Sequence, residues 1–144
     1  MNQIYQSSTE IRNNFSLTID KAVHERPQFI RRTHDQVVLL SDEYLYAILE
    51  DYKIVCSVQK EKDGTIILTN EVVEDIIASG LTLDEAKSDF ATQLLDYAHE
   101  YYESFDLYSR APNRKSHIAY VMKILMLGDP ALVEEILVCQ DGKN

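Results

Sequence analysis

Ile11, Phe15, Ile19, Ala22 and Val23 recur at helical spacing behind Ser7, and Glu10 stands three residues after that serine as in a capping box. A helix over about residues 9–25 with one apolar stripe is predicted. Pro27 stops it, residues 28–32 and 36–40 read as short strands joined by Thr33-His34-Asp35, and Ser41 caps a helix through Tyr44, Leu45, Ile48 and Leu49. A helix–hairpin–helix module of this size cannot bury both of its faces alone, which predicts pairing with a second copy.

Beyond Lys53 the pattern changes. Ile54, Cys56 and Val58 alternate with polar neighbours, Lys62-Asp63-Gly64 supplies a turn suited to positive φ, and residues 65–69 return as a strand. Asn70 is then read as the cap of a short helix through Val73 and Ile77, closed by a left-handed Gly80. Thr82 and Glu85 form another capping box, opening a long amphipathic helix over about 83–108 through Leu83, Ala86, Phe90, Leu94, Tyr97, Ala98, Tyr101 and Phe105. Residues 110–115 form a loop, and 116–127 and 130–138 read as two helices, the last capped by Asp129 with Pro130 in its first turn. The sum is an α+β protein. Its N-terminal helix–hairpin–helix dimerisation module, residues 1–51, precedes a β-hairpin and a largely helical C-terminal domain, residues 52–144.

Composition narrows the class. Of 144 residues, 45% are apolar, enough for a core rather than a disordered coil. No apolar run approaches the roughly 20 residues of a membrane span, and Met-Asn-Gln-Ile-Tyr-Gln lacks the basic start of a secretory signal, so a cytoplasmic protein is expected. Cys56 and Cys139 share no motif spacing and are expected to be reduced. The net charge of −10 argues against nucleic acid until its distribution is considered. Residues 1–34 carry five Lys and Arg against three Asp and Glu, so the acidity lies in the remainder. That asymmetry suits one anionic and one cationic partner, although charge scattered over a polar surface gives the same sums.

Recognisable catalytic spacing is missing: no nucleophile beside a base, no carboxylate pair in a motif, and four glycines only, none in a phosphate-cradling loop. A non-enzymatic protein without cofactor is expected. His99, Glu103 and His117 are a weak metal set, so no metal site is assigned. Arg12 on the first helix and Arg31 and Arg32 on the hairpin can reach phosphates or base edges, and the two hairpin arginines point to opposite faces. Taken by themselves they read first as ordinary surface arginines pairing with Glu10, Glu25 or Asp35. Tyr97 and Tyr101 fall on the core stripe, whereas Tyr102 and Tyr108 are open to either core or interface roles.

Residues 3–50 resemble the Phd/YefM antitoxin family in the order and spacing of Ser7-Ser8-Thr9-Glu10-Ile11-Arg12-Asn13-Asn14-Phe15, Pro27-Gln28-Phe29-Ile30-Arg31-Arg32 and Val37-Val38-Leu39-Leu40-Ser41-Asp42-Glu43-Tyr44. The resemblance implies a type II antitoxin whose N-terminal dimer represses its own operon, with Arg12 and Arg32 as DNA contacts and Asn13, Ser8 and Arg31 beside them. It also implies that the C-terminal part neutralises a toxin; the acidity of that part makes a basic toxin, a ribonuclease, the expected partner, with Tyr102 and Tyr108 as candidate contacts from their aromatic character. His34-Asp35 stands where the family's hairpin glycine is usual, and the hairpin is about one residue short. Residues 54–101 are also similar to HicB-type antitoxins through Asp63-Gly64 and Leu81-Thr82-Leu83-Asp84-Glu85-Ala86. The alternative is a stand-alone transcriptional regulator with a ligand- or protein-sensing helical C-terminal domain.

Overall fold

The computed structural model describes residues 4–142, and the chain divides into two compact units, Met1–Ile48 and Leu49–Asn144. The α+β class holds for the whole, with helices and sheets in both units.

In the first unit the order is β1 (Tyr5–Ser7), α1 (Ser8–Asn13), α2 (Phe15–His24), β2 (Gln28–Arg32), β3 (Asp35–Leu39) and α3 (Asp42–Ile48). The strands form one sheet in the order β1-β2-β3, with β1 parallel and β3 antiparallel to β2. Strand β1 was not predicted from the sequence. Three residues are too few for an alternation signal, and contacts across the sheet hold them: the Tyr5 and Phe29 rings meet edge to face at 5.5 Å, and Gln6 Nε2 donates to Gln28 Oε1 at 3.0 Å.

The single helix expected over 9–25 is two helices. Asn14 leaves helical geometry at φ −134° and ψ 41°, and its carbonyl accepts from both the amide and the hydroxyl of Thr18, at 3.0 and 3.1 Å. Asparagine is a poor helix former, so the Asn13-Asn14 pair is a weak point in the run, although the Asn14 side chain itself makes no capping bond. The break changes which side chains face inward. Ile11, Thr18 and Ala22 are buried, whereas Phe15, Leu17 and Val23 are about half exposed and Ile19 is 36% exposed. The predicted stripe therefore corrects to two surfaces. At the hairpin, the left-handed residue is Thr33 at φ 49°, an unfavourable conformation for a β-branched side chain where glycine would be relaxed.

The second unit runs β4 (Val55–Lys60), β5 (Ile66–Asn70), β6 (Ala78–Gly80), α4 (Leu83–Glu103), α5 (Phe105–Tyr108), a 3₁₀ turn (Lys115–His117), α6 (Ile118–Leu127), α7 (Pro130–Glu135) and β7 (Val138–Asp141). Its sheet has the order β6-β5-β4-β7, antiparallel except for the β4–β7 pair. Helix α4 sends Ala86, Phe90, Ala91, Leu94, Ala98 and Tyr101 into a core shared with Cys56, Leu68, Val121, Ile124 and Val133. Among these buried groups, Lys123 donates from Nζ to the carbonyls of Glu50 and Tyr52, both at 3.1 Å, and so fastens the start of the unit.

Local signals located several of these elements. Gly64 turns the β4–β5 hairpin at φ 94°, Thr82 Oγ1 accepts from Glu85 N at 3.1 Å, and Asp129 Oδ1 accepts from Ala131 N at 2.9 Å. Four expectations need correction. The helix expected after Asn70 is a bend followed by β6, because the Asn70 side chain accepts from Val72 N and Val73 N and donates to the carbonyls of Val73 and Ile76. Gly80 is accordingly not a left-handed helix terminator; it sits where α4 begins, and a Cβ there would lie 2.6 Å from Ala86 N. The long helix is interrupted at Ser104, and the last helix ends at Glu135, after which the chain re-enters the sheet as β7. That strand sets Cys139 beside Cys56 in register; both thiols are free, and burial above all, with Cys139 as neighbour, pushes the Cys56 thiol up to about 12.

Candidate functional site

The arginines come to lie on different parts of the first unit. Ser8, at the start of α1, and Arg32, at the end of β2, line one shallow groove of about 680 Å³ with Ile30, His34, Asp35, Gln36 and Val37. Arg32 Nη2 lies 2.7 Å from Asp35 Oδ2 across the hairpin turn, but both side chains are mostly exposed, 72% and 59%. Such a pair is worth little in water, so it restrains the guanidinium only weakly. Arg31 stands over the Tyr5 ring, 4.6 Å from its centroid. Arg12 and Asn13 are exposed on the last turn of α1, not the first turns as the sequence suggested, because the helix ends at the asparagine pair. The structure thus joins Ser8 and Arg32 and leaves Arg12, Asn13 and Arg31 outside their groove.

The same unit leaves apolar side chains uncovered. Phe15, Ile19 and Val23 follow each other at four-residue intervals along α2, and Val37 and Val38 on β3 are 56% and 44% exposed. That is much apolar surface for so small a unit.

In the second unit Tyr102 is 62% exposed, while Tyr108 is half-buried and committed to internal contacts. The Tyr108 hydroxyl donates to Glu100 Oε1 at 2.8 Å, and this bond above all raises its pKa. Its ring lies under the Arg114 guanidinium at 5.1 Å, which also stands 5.4 Å from the centre of Tyr97 and 3.5 Å from Asp75. Tyr101 is fully buried and donates to the Arg114 carbonyl at 2.9 Å; Tyr97 O is 2.6 Å from His117 Nδ1. Burial raises both of these tyrosines and lowers His117, whose shift is opposed by a backbone hydrogen bond with Val72. This cluster is not visible as a motif, since its members lie up to 42 residues apart, from Asp75 to His117. It lines a cleft of about 320 Å³ with the 71–75 bend, yet its polar groups are turned on one another. Such an arrangement stiffens the packing of α4 against the 113–117 turn.

Among the described residues no three His, Cys, Asp or Glu side chains converge as metal ligands. His99 and Glu103 therefore do not join His117. No helix there is long and apolar enough to cross a membrane.

Comparison with known proteins supplies the context for these surfaces. No curated protein matches the chain. The crystal structure of the antitoxin part of a proposed toxin/antitoxin system from Syntrophomonas wolfei subsp. wolfei is similar over 98% of this chain and 99% of that one, with 33% identity and a TM-score of 0.90. The PHD-like family, described as antitoxin of toxin–antitoxin, RelE/RelB, TA system, matches residues 1–139. Because that match spans both units, the chain belongs to the PHD-like family of toxin–antitoxin antitoxins.

Proposed function

We propose that this antitoxin is a homodimeric, autoregulatory repressor of the Phd/YefM type, which holds operator DNA through the first unit and neutralises a basic toxin through the second. The observation that carries the reading is the uncovered stripe Phe15, Ile19 and Val23 on α2. A second copy covering it would remove apolar surface from water and present every arginine of the unit twice, related by a two-fold axis. Ser8, Arg12, Asn13, Arg31 and Arg32 then supply the phosphate and base-edge contacts, the arginines dominating affinity. The second unit, with 18 Asp and Glu against nine Lys and Arg, suits a cationic partner such as a ribonuclease that must itself hold RNA. The role is binding rather than turnover, and it belongs in the cytoplasm, where operator and toxin are found.

Gel shifts on the DNA upstream of the protein's own gene test this. Arg12→Ala and Arg32→Ala are expected to weaken binding about tenfold each and to lower the salt slope, with the fold intact. Asp35→Asn, which removes a negative charge from the groove beside Arg32, is expected to tighten it slightly. Unchanged affinity in all three variants places the DNA interface elsewhere.

A further inference from the structure

The second unit has two outer strands, and they are finished differently. On β6, alternation turns the main-chain groups of Ile77, Ser79 and Leu81 away from β5, and α4 meets each of them: Asp89 Oδ2 accepts from Ser79 N at 3.0 Å, Glu85 Oε2 accepts from Leu81 N at 2.9 Å, and Gln93 Nε2 donates to the Ile77 carbonyl at 3.1 Å. This edge is closed to another strand.

On β7, Val138 N donates to Ile54 O and Gly142 N to Val58 O, both at 2.9 Å. The same alternation therefore points the main-chain groups of Cys139 and Asp141 away from β4, and among the described residues no strand lies beyond them. Beside this edge the register neighbours Val55 and Val138 are 39% and 42% exposed, next to a groove of about 790 Å³ whose lining includes Ser57, Gln59, Thr69 and Gln140. An extended chain laid along β7 would find main-chain partners at the edge and an apolar pair beneath its own side chains. The charge of the unit selects the occupant. A second copy would bring the same twofold excess of acid, whereas a segment carrying Lys or Arg gains from that excess and from Asp141 at the edge.

We propose that the toxin adds a short basic strand to β7, extending the four-stranded sheet of the second unit. This rests on the reading that the second unit neutralises a cationic toxin. Proline at Asp141 deletes an outward-facing N–H while the Val138 and Gly142 bonds to β4 remain, so Asp141→Pro attacks the edge and not the ladder. Asp141→Asn removes the charge and keeps the donor.

The probe is the protein encoded by the gene adjacent to this one, co-expressed and titrated against the full-length chain. Asp141→Pro is expected to weaken the complex about tenfold or more, Asp141→Asn by a smaller factor, and the complex to slow amide exchange at Cys139 and Asp141 in the unsubstituted protein. The exchange readout needs no variant to fold. A complex that forms with neither weakening in Asp141→Pro nor slowed exchange overturns the strand proposal and leaves neutralisation standing. No complex with the unsubstituted protein removes both. If Asp141→Pro instead breaks an oligomer of the chain alone with complex affinity unchanged, the edge joins copies and the proposal is wrong.

Discussion

Among the described residues the first unit buries two apolar side chains, Ile11 and Ala22, while the second buries a cluster of 17 from Ile54 to Leu137. Hydrophobic burial is the main favourable term in folding, so the second unit carries its own stability, whereas the first leaves its best apolar surface on offer. The difference sorts where substitutions should act. Changes inside the second unit should move unfolding, and changes on α2 should move association.

The largest effect is expected from Phe90→Ala, which empties a fully buried site beneath the sheet. A loss of about 3–5 kcal/mol in denaturant unfolding is expected. A loss under 1 kcal/mol would mean that this core is loosely packed and the contrast between units overstated. Next comes Phe15→Ser combined with Ile19→Ser. These exposed side chains should leave unfolding of the second unit unchanged and raise the dissociation constant of the proposed dimer about 100-fold, read by light scattering against dilution. Lys123→Met is smaller, about 1–3 kcal/mol, because it strands the carbonyls of Glu50 and Tyr52 that the ammonium now satisfies.

The smallest effect is a slope. Burial holds His117 below its ordinary range and the Arg114 guanidinium adds to this, against the Val72 backbone bond and Asp75. The unfolded chain then binds the proton at a higher pH than the folded one, so stability falls as pH drops below roughly 6.5 and levels off beneath the folded value. His117→Gln should flatten the fall of Tm between about pH 7 and pH 5. Equal slopes in both proteins would remove His117 as the cause.

What could be read from the sequence was what is decided within a few residues. The Asp63-Gly64 turn, the Thr82 and Asp129 caps and the apolar stripe of α4 announce themselves because each is satisfied locally. Strands β1, β6 and β7 did not, since three or four residues show no period and gain their bonds from partners far along the chain. The asparagine at position 70 shows how a local rule misleads: it does cap a segment, but by four hydrogen bonds that exclude a helix. For the candidate site, the arginines could be picked from the sequence, and Asp35 opposite Arg32 was visible across the turn. The exposure of Phe15 and Ile19 was hidden, because the break at Asn14 rotates α2 relative to α1 and so reassigns which apolar positions face inward.

The β4–β7 pairing also governs how this protein comes off the ribosome. Residues Val55–Val58 wait for neighbours at Val138–Asp141, some eighty positions later, so the nascent second unit must carry a bare side on β4 until nearly all of it has been synthesised. A chain cut short before Val138 would keep that side permanently bare, a template for aggregation and an invitation to proteases.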